Sequence, residues 1–364
     1  MFCPKYASNL SDNIGAGGAC GAPMKRNVPA EASGVNAVAG AGAVSVNSKP
    51  WMRVAACAVA TIAAIAIALF SLSGCGGGGG DARSGSSASE SAGSSASKDA
   101  EPSVEDLVKP TVNDYTWEEL SKISGEISKA RDEGAAIEVA KKHNLTTEDG
   151  RLDGTQTKSV TLTDGTQTAV QIAGFAHDEK TDGGKAGITF IFKDCIGEHD
   201  MNRSTPGFND GGWEKSEMRS YLNSEGLNLL PNDLKQKVVS VNKLTNNVGE
   251  TQDVSSVTKT ADQLWLFSAV ELCGDRSSHW ITQAYIDIQN AEGSEYKLFR
   301  DTNVNSARSN NILLKSLNGQ SSSWWKRTPD LDNSYRFESV NLDGNPNYGY
   351  HAHFSYGVCP GFCI

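Results

Sequence analysis

WWKRTP at 324–329, YRFESVNL at 335–342, the Asp343-Gly344 step, NPNYGYHAHFS at 345–355 and YGVCPGFCI at 356–364 are the stretch that decides the fold. Asp-Gly between runs rich in aromatic and β-branched residues is a turn signal, because glycine accepts the left-handed backbone that tight turns demand. The flanking runs therefore read as antiparallel strands, and 357–364 as a closing strand. Segment 345–355 differs from both: no Val, Ile or Leu occurs in it, so it lacks the signature of a core strand. Alternation along it places Tyr348, Tyr350, Ala352 and Phe354 on one side and Asn347, His351, His353 and Ser355 on the other.

Upstream, Thr116-Trp117-Glu118-Glu119 has the capping-box arrangement, and Trp117, Leu120, Ile123 and Ile127 then share one helical face. A second helix is predicted over 132–142, with acidic residues at its start and Lys141-Lys142 at its end. The pattern then switches to period two. Residues 159–163 and 168–172 around Asp164-Gly165 read as a hairpin, and 188–192 as a buried strand. A helix is predicted over 213–223, with Met218, Tyr221 and Leu222 on one side, and Pro231 suits the first turn of a shorter one. Further strands are predicted at 238–241 and 264–267. Antiparallel strands with helices elsewhere in the chain give an α+β class.

Near the other end, residues 54–72 carry no charge over 19 positions, or roughly 28 Å of helix, enough to cross a bilayer. Leu72-Ser73-Gly74-Cys75 follows directly and resembles the lipobox of bacterial lipoproteins, which implies lipid attachment to the Cys75 thiol. Lys5, Lys25, Arg26, Lys49 and Arg53 outnumber Asp12 and Glu31 before the run, so the N-terminal flank stays inside and the rest is outside. An uncleaved signal anchor gives the same topology. The expected organisation is an extension without assigned structure (1–51), in which Met24 or Met52 is a candidate start, and a signal segment (52–75). A Gly/Ser-rich disordered linker (76–105), a helical lead-in (106–150) and the main domain (151–364) follow.

Taking the five basic and two acidic residues before Cys75 from the totals of 33 and 43 leaves a net charge of −13. Such a surface repels phosphate backbones, and nucleic acid is not an expected partner. Cys195, Cys273, Cys359 and Cys363 follow the anchor. On one extended strand Cys359 and Cys363 would stand roughly 13 Å apart, beyond the ~7 Å limit for a bridge, unless Pro360-Gly361 folds the chain back. Buried thiols and one or two longer-range bridges both remain open.

With Trp324-Trp325-Lys326-Arg327-Thr328-Pro329 and Tyr356-Gly357-Val358-Cys359-Pro360 in place, the chain resembles a bacterial family of unknown function found in surface lipoproteins. That family carries W-W-L-R-S-P and, further on, G-V-R-P. Similar motif pairs occur in C-type-lectin-like folds, including relatives of the formylglycine-generating enzymes and retroelement-diversified binding proteins. The resemblance covers 155–364, including Gly211 to Arg219, and departs at Lys326 for Leu, Thr328 for Ser and Cys359 for Arg. It implies a C-type-lectin-like domain whose two motifs lie on the central sheet, with the segment between them displayed.

Trp324 and Arg327 are expected to be structural, since such large side chains dominate a core; a carbohydrate platform of Trp324, Trp325 and Arg327 is the other reading, with Trp325 on the opposite face if the pair is extended. His351 and His353 supply at most half of a metal site, and nothing at fixed spacing completes it, so no metal or other cofactor is expected. His177-Asp178-Glu179 and Glu198-His199-Asp200 read as solvated loops. Tyr335, Asn345, Asn347, Tyr348, Tyr350, His351 and His353 combine contact area with hydrogen bonding, the mixture that binding surfaces favour. The function expected is binding of a surface glycan or protein by a membrane-anchored extracellular module without catalysis. The alternatives are a surface hydrolase, a thiol-dependent oxidase using Cys359 and Cys363 on the same fold, or a structural envelope protein.

Overall fold

The Thr116 capping box opens α1 (Trp117–Ile127): the Thr116 hydroxyl accepts from the Glu119 amide at 3.1 Å, and the Glu119 carboxylate accepts from the Thr116 amide at 2.8 Å. Trp117, Leu120, Ile123 and Ile127 are all buried, as their spacing demands. Asp132 caps α2 (Glu133–Lys142), its carboxylate accepting from the Ala135 amide at 2.8 Å. A computed structural model describes residues 103–204, 207–247, 251, 253–274 and 283–364. The apolar segment 54–72, Cys75 and nearly all of the Gly/Ser-rich linker lie outside the described residues. Among the described residues no helix is long and apolar enough to cross a membrane.

The hairpin expected from Asp164-Gly165 is formed by β1 (Thr157–Thr161) and β2 (Gln167–Phe175), with Ser159 opposite Ala169. Strand β2 pairs antiparallel with β3 (Ile188–Phe192), every residue of which is buried. Then follow β4 (Glu198–His199), α3 (Gly212–Lys215), α4 (Glu217–Tyr221), α5 (Asn232–Lys235), β5 (Val241–Asn246), β6 (Val257–Asp262), α6 (Ala269–Cys273), α7 (Gln283–Asn290) and α8 (Lys297–Asp301). The C-terminal stretch supplies β7 (Lys315–Leu317), β8 (Gln320–Ser322), β9 (Trp324–Pro329), β10 (Arg336–Val340), β11 (Tyr348–His351), β12 (Tyr356–Gly357) and β13 (Gly361–Cys363).

Two sheets organise these elements, in the orders β1-β2-β3-β13 and β11-β10-β9-β12-β4, with β5-β6 and β7-β8 as separate hairpins. All pairings are antiparallel except β9 with β12. The architecture is mixed helix and antiparallel sheet, an α+β arrangement. The chain ends inside the core: Phe362 stacks on Phe190 at 5.4 Å, and Trp117 meets Phe190 edge-on at 5.6 Å. Helix α1 is locked to this end, because the Ser124 hydroxyl donates to the Ile364 carbonyl and accepts from the Ile188 amide. Gly187 makes room for that approach, since a Cβ there would stand 1.9 Å from the Ser124 carbonyl oxygen.

Four elements differ from their sequence reading. The closing strand expected over 357–364 is split, because β12 ends at Gly357 in one sheet and β13 begins only at Gly361 in the other. The helix expected over 213–223 is broken at Ser216, whose hydroxyl caps α4 by accepting from the Arg219 amide at 3.0 Å, and residues 222–226 close as a π-turn. The strand expected at 238–241 begins only at Val241; Val239 makes a single bridge to Cys363. Residues 264–267 are buried but form no strand, and only Trp265 bridges to Gly361.

Candidate functional site

The WWKRTP segment becomes β9, all six residues of which are buried. The Trp324 indole donates to the Leu313 carbonyl at 3.0 Å and that of Trp325 to the His199 carbonyl at 2.9 Å, so neither ring leaves an unpaired N–H. Lys326 is buried with its ammonium 2.6 Å from Glu338 and donating to the Pro346 carbonyl at 2.7 Å.

Arg327 is the centre of a buried ionic network. Its guanidinium is bidentate on Glu271, with Nη2 to Oε1 at 2.9 Å, and Nε donates to the Thr245 hydroxyl at 2.8 Å. The backbone carbonyls of Leu266, Leu244 and Glu292 also accept from it, the last two sharing one Nη2 proton. Glu271 also lies 2.6 Å from Lys243, which is 2.8 Å from Asp178, and the Tyr296 hydroxyl donates to Asp178 at 2.6 Å.

Burial opposes the charge on Asp178 and Glu271. The Lys243 ammonium at Asp178, and Arg327 with Lys243 at Glu271, outweigh it and hold both carboxyls below the ordinary range. Glu292 goes the other way: burial pushes its carboxyl up to about 7 despite the nearby guanidinium. It accepts from the Asn246 amide at 2.9 Å and meets the Thr328 hydroxyl. Every donor and acceptor named here faces another protein group, so the network's visible work is joining β5, α6, α7–α8 and β9. His177 and Asp178 belong to it rather than to a solvated loop: Asp178 is buried, and His177 stacks on Tyr296 at 3.9 Å. His199 is likewise mostly covered, stacked on Tyr221 at 4.4 Å.

The accessible candidate lies on the β10–β11 side. Gly344 adopts φ +80°, and the Asn341 carbonyl accepts from its amide at 3.0 Å, closing the turn that the Asp-Gly step announced. Asn345 works inside this connection: its amide donates to Asn341 Oδ1 and its own Oδ1 accepts from the Asn347 amide, both at 2.9 Å. Pairing of Phe337 with Tyr350 and Arg336 with His351 then sets β11 along the sheet edge.

The Ala352 amide still follows the β10–β11 register, donating to the Tyr335 carbonyl, but beyond it the alternation fails, because the Phe354 amide donates to the His351 carbonyl and turns the chain. The turn gathers rings that a straight strand would have separated. Phe208 lies 4.8 Å from Tyr335, Tyr335 6.1 Å from His351, His351 5.7 Å from His353 and 5.8 Å from Phe354. Phe354 continues to Tyr356 at 6.4 Å, which stacks on Tyr350 at 4.1 Å, and both tyrosines meet the buried Trp325 edge-on. Phe354, Phe208 and Tyr335 are exposed by 45%, 41% and 37%, against full burial of Trp325, so the row runs from core to solvent.

Of the residues singled out from sequence, the structure brings together Tyr335, Tyr350, His351 and His353. Tyr348 is 44% exposed but joins none of the described ring pairs, and Asn347 is exposed at the turn. Sequence reasoning missed Phe208, more than a hundred residues away. It is delivered by the neighbouring Asn209, whose side-chain amide donates to the Asn333 and Arg336 carbonyls at 2.9 and 2.8 Å. Strand alternation in the sequence puts Phe354 on the other side from the histidines, and the turn brings it to them. The Nδ1 of His353 accepts from the Gly207 amide at 3.3 Å, while the buried Nδ1 of His351 has no hydrogen-bond partner among the described residues.

No metal-ligating group of three or more His, Cys, Asp or Glu occurs among the described residues. Neither the curated proteins nor the solved structures contain a match to the chain. Residues 186–364, which run from the edge of β3 to the last residue and include the aromatic row and the Arg327 network apart from His177 and Asp178, match the family model described as Domain of unknown function (DUF6273).

Proposed function

We propose that this chain is an extracellular ligand-binding module, anchored in a bacterial cell membrane through lipid on Cys75 and carrying a C-type-lectin-like domain. It recognises a surface glycan or protein and performs no chemistry on it. The observation that carries this reading is the ring row Phe208, Tyr335, His351, His353, Phe354, Tyr356 and Tyr350. Exposed apolar residues scattered singly are ordinary, whereas a connected aromatic face with solvent-facing members is what binding surfaces use. Rigid rings give up little entropy on contact, and the imidazoles add directional hydrogen bonds. The WWKRTP and YGVCP segments support the lectin-like assignment, and the lipobox-like LSGC after a charge-free run supports the anchor.

The test is an array of glycans and surface proteins probed with the full chain and with a Tyr335→Ala/Phe354→Ala variant. A specific signal lost from the folded variant supports the reading. Hydrolysis or oxidation of an arrayed compound would favour the enzyme alternatives, and binding unchanged by the variant would remove this face.

A further inference from the structure

The chain contains a second feature, which the aromatic face does not use: two buried cysteines beside a buried ammonium. Cys195 and Cys359 are separated by most of the domain in sequence, yet the segments holding them run antiparallel. The Phe192 amide donates to the Pro360 carbonyl at 3.0 Å, the Ile196 amide to the Val358 carbonyl at 2.9 Å and the Val358 amide to the Gly197 carbonyl at 2.9 Å. Each cysteine is thus one residue from the Ile196–Val358 hydrogen bond.

Their thiols also lie near one another, both free in the structure. A Cβ on Gly357 would lie 2.5 Å from Cys195 Sγ, so that sulfur sits against the chain two residues before Cys359. Cys359 follows in the irregular step between β12 and β13, and after burial it is the strongest influence on the Cys195 thiol. Cys359 Sγ donates to the Phe192 carbonyl at 2.9 Å, and Lys315 Nζ donates to the same oxygen at 2.8 Å. Lys315 is buried, with its ammonium 5.8 Å from the centre of the Trp324 ring.

We propose that Cys195 and Cys359 form a disulfide when the chain meets a disulfide-containing oxidant, fastening the segment after β3 to the approach to β13. The chemistry is two exchanges. The Cys195 thiolate attacks one sulfur of a small-molecule or protein disulfide and expels the first thiolate. The Cys359 thiolate then attacks the Cys195 sulfur of the mixed disulfide and expels the second. The chain loses two electrons and two protons, and the donor disulfide is reduced to two thiols.

In the folded, reduced domain both thiols resist ionisation. Burial pushes Cys359 up to about 11, and burial with the neighbouring Cys359 raises Cys195 further, against the opposing pull of Lys315. The bridge therefore closes while the chain is folding, or on slow opening, rather than by rapid exchange in the finished domain. Cys363 is held apart by the Thr189 and Asp178 side chains, at 3.2 and 3.4 Å from its sulfur.

The test uses the full chain, refolded with oxidised and reduced glutathione, quenched by alkylation, digested and mapped by mass spectrometry. The expected result is a linked peptide pair containing Cys195 and Cys359, with Cys363 alkylated, and a melting temperature lowered by dithiothreitol. Cys359→Ser and Cys195→Ala should each melt as the reduced wild type does, with no further change on reduction. Recovery of folded wild-type chain with both Cys195 and Cys359 alkylated overturns the proposal. So does linkage of either to a different cysteine. Should the variants fail to fold, the wild-type peptide map alone decides.

Discussion

Replacing Glu292 by Gln should flatten the alkaline side of the domain's pH–stability curve. In the folded chain this carboxyl is fully buried and is pushed up to about 7 from an ordinary 4.5. A raised folded pKa stabilises the folded state fully below the unfolded value, and that stability is lost as pH rises through the folded value. At 1.36 kcal/mol per unit, the roughly 2.5-unit difference corresponds to about 3 kcal/mol lost between about pH 4.5 and 7.5.

Glutamine keeps the carbonyl that accepts from the Asn246 amide and offers an N–H to the Thr328 hydroxyl, so it resembles the neutral acid. Urea unfolding of wild type and Glu292→Gln from pH 4 to 8 measures the effect. The wild type should weaken relative to the variant as pH rises, by on the order of 3 kcal/mol at the upper end. Below that window the two should converge. Parallel curves, with wild type and variant differing by a constant at every pH, would refute the assignment of this titration to Glu292. Acid unfolding has the opposite sign: Asp178 and Glu271 are held below their ordinary range, so stability falls as they are protonated.

Trp324→Ala should cost roughly 3 to 5 kcal/mol, because it empties a fully buried ring site and orphans the Leu313 carbonyl, and an unchanged thermal melt would contradict that placement. Cys75→Ser should abolish incorporation of a palmitate analogue in a bacterial host; persistent labelling would leave the uncleaved anchor as the reading of 54–72.

Local signals were legible in the sequence, and signals completed by distant partners were not. The Thr116 box and the face of α1 need only the consecutive residues from Thr116 to Ile127 and are legible directly. The Asp343-Gly344 turn was equally plain, because only a residue tolerant of positive φ suits Gly344. Hairpin β5–β6 escaped notice for a physical reason: its inward positions include Lys243 and Thr245, which answer Asp178, Glu271 and Arg327. A strand that turns a lysine inward shows no apolar alternation. Asp178 was assigned to solvent for the same reason, since its counter-ion lies 65 residues away.

The converse error occurred at 264–267, where four buried apolar residues in succession suggested a strand. Their backbone instead serves Gly361 through Trp265 and Arg327 through Leu266 and Phe267. In the candidate site, Tyr335, Tyr350, His351 and His353 were named from composition alone. Phe208 was not, because nothing in a loop sequence tells which strand end it will cover. The turn after His351 also undid the period-two assignment of Phe354.

If the connected rings recognise a ligand, a triple variant of Tyr335, His351 and Phe354, each to Ala, loses it. Binding of the full chain to its strongest array partner is measured by biolayer interferometry, beside a thermal melt of the same samples. The expected result is at least a tenfold weaker Kd, about 1.4 kcal/mol, with a melting temperature within a few degrees of wild type. Unchanged affinity in the folded triple variant would contradict it.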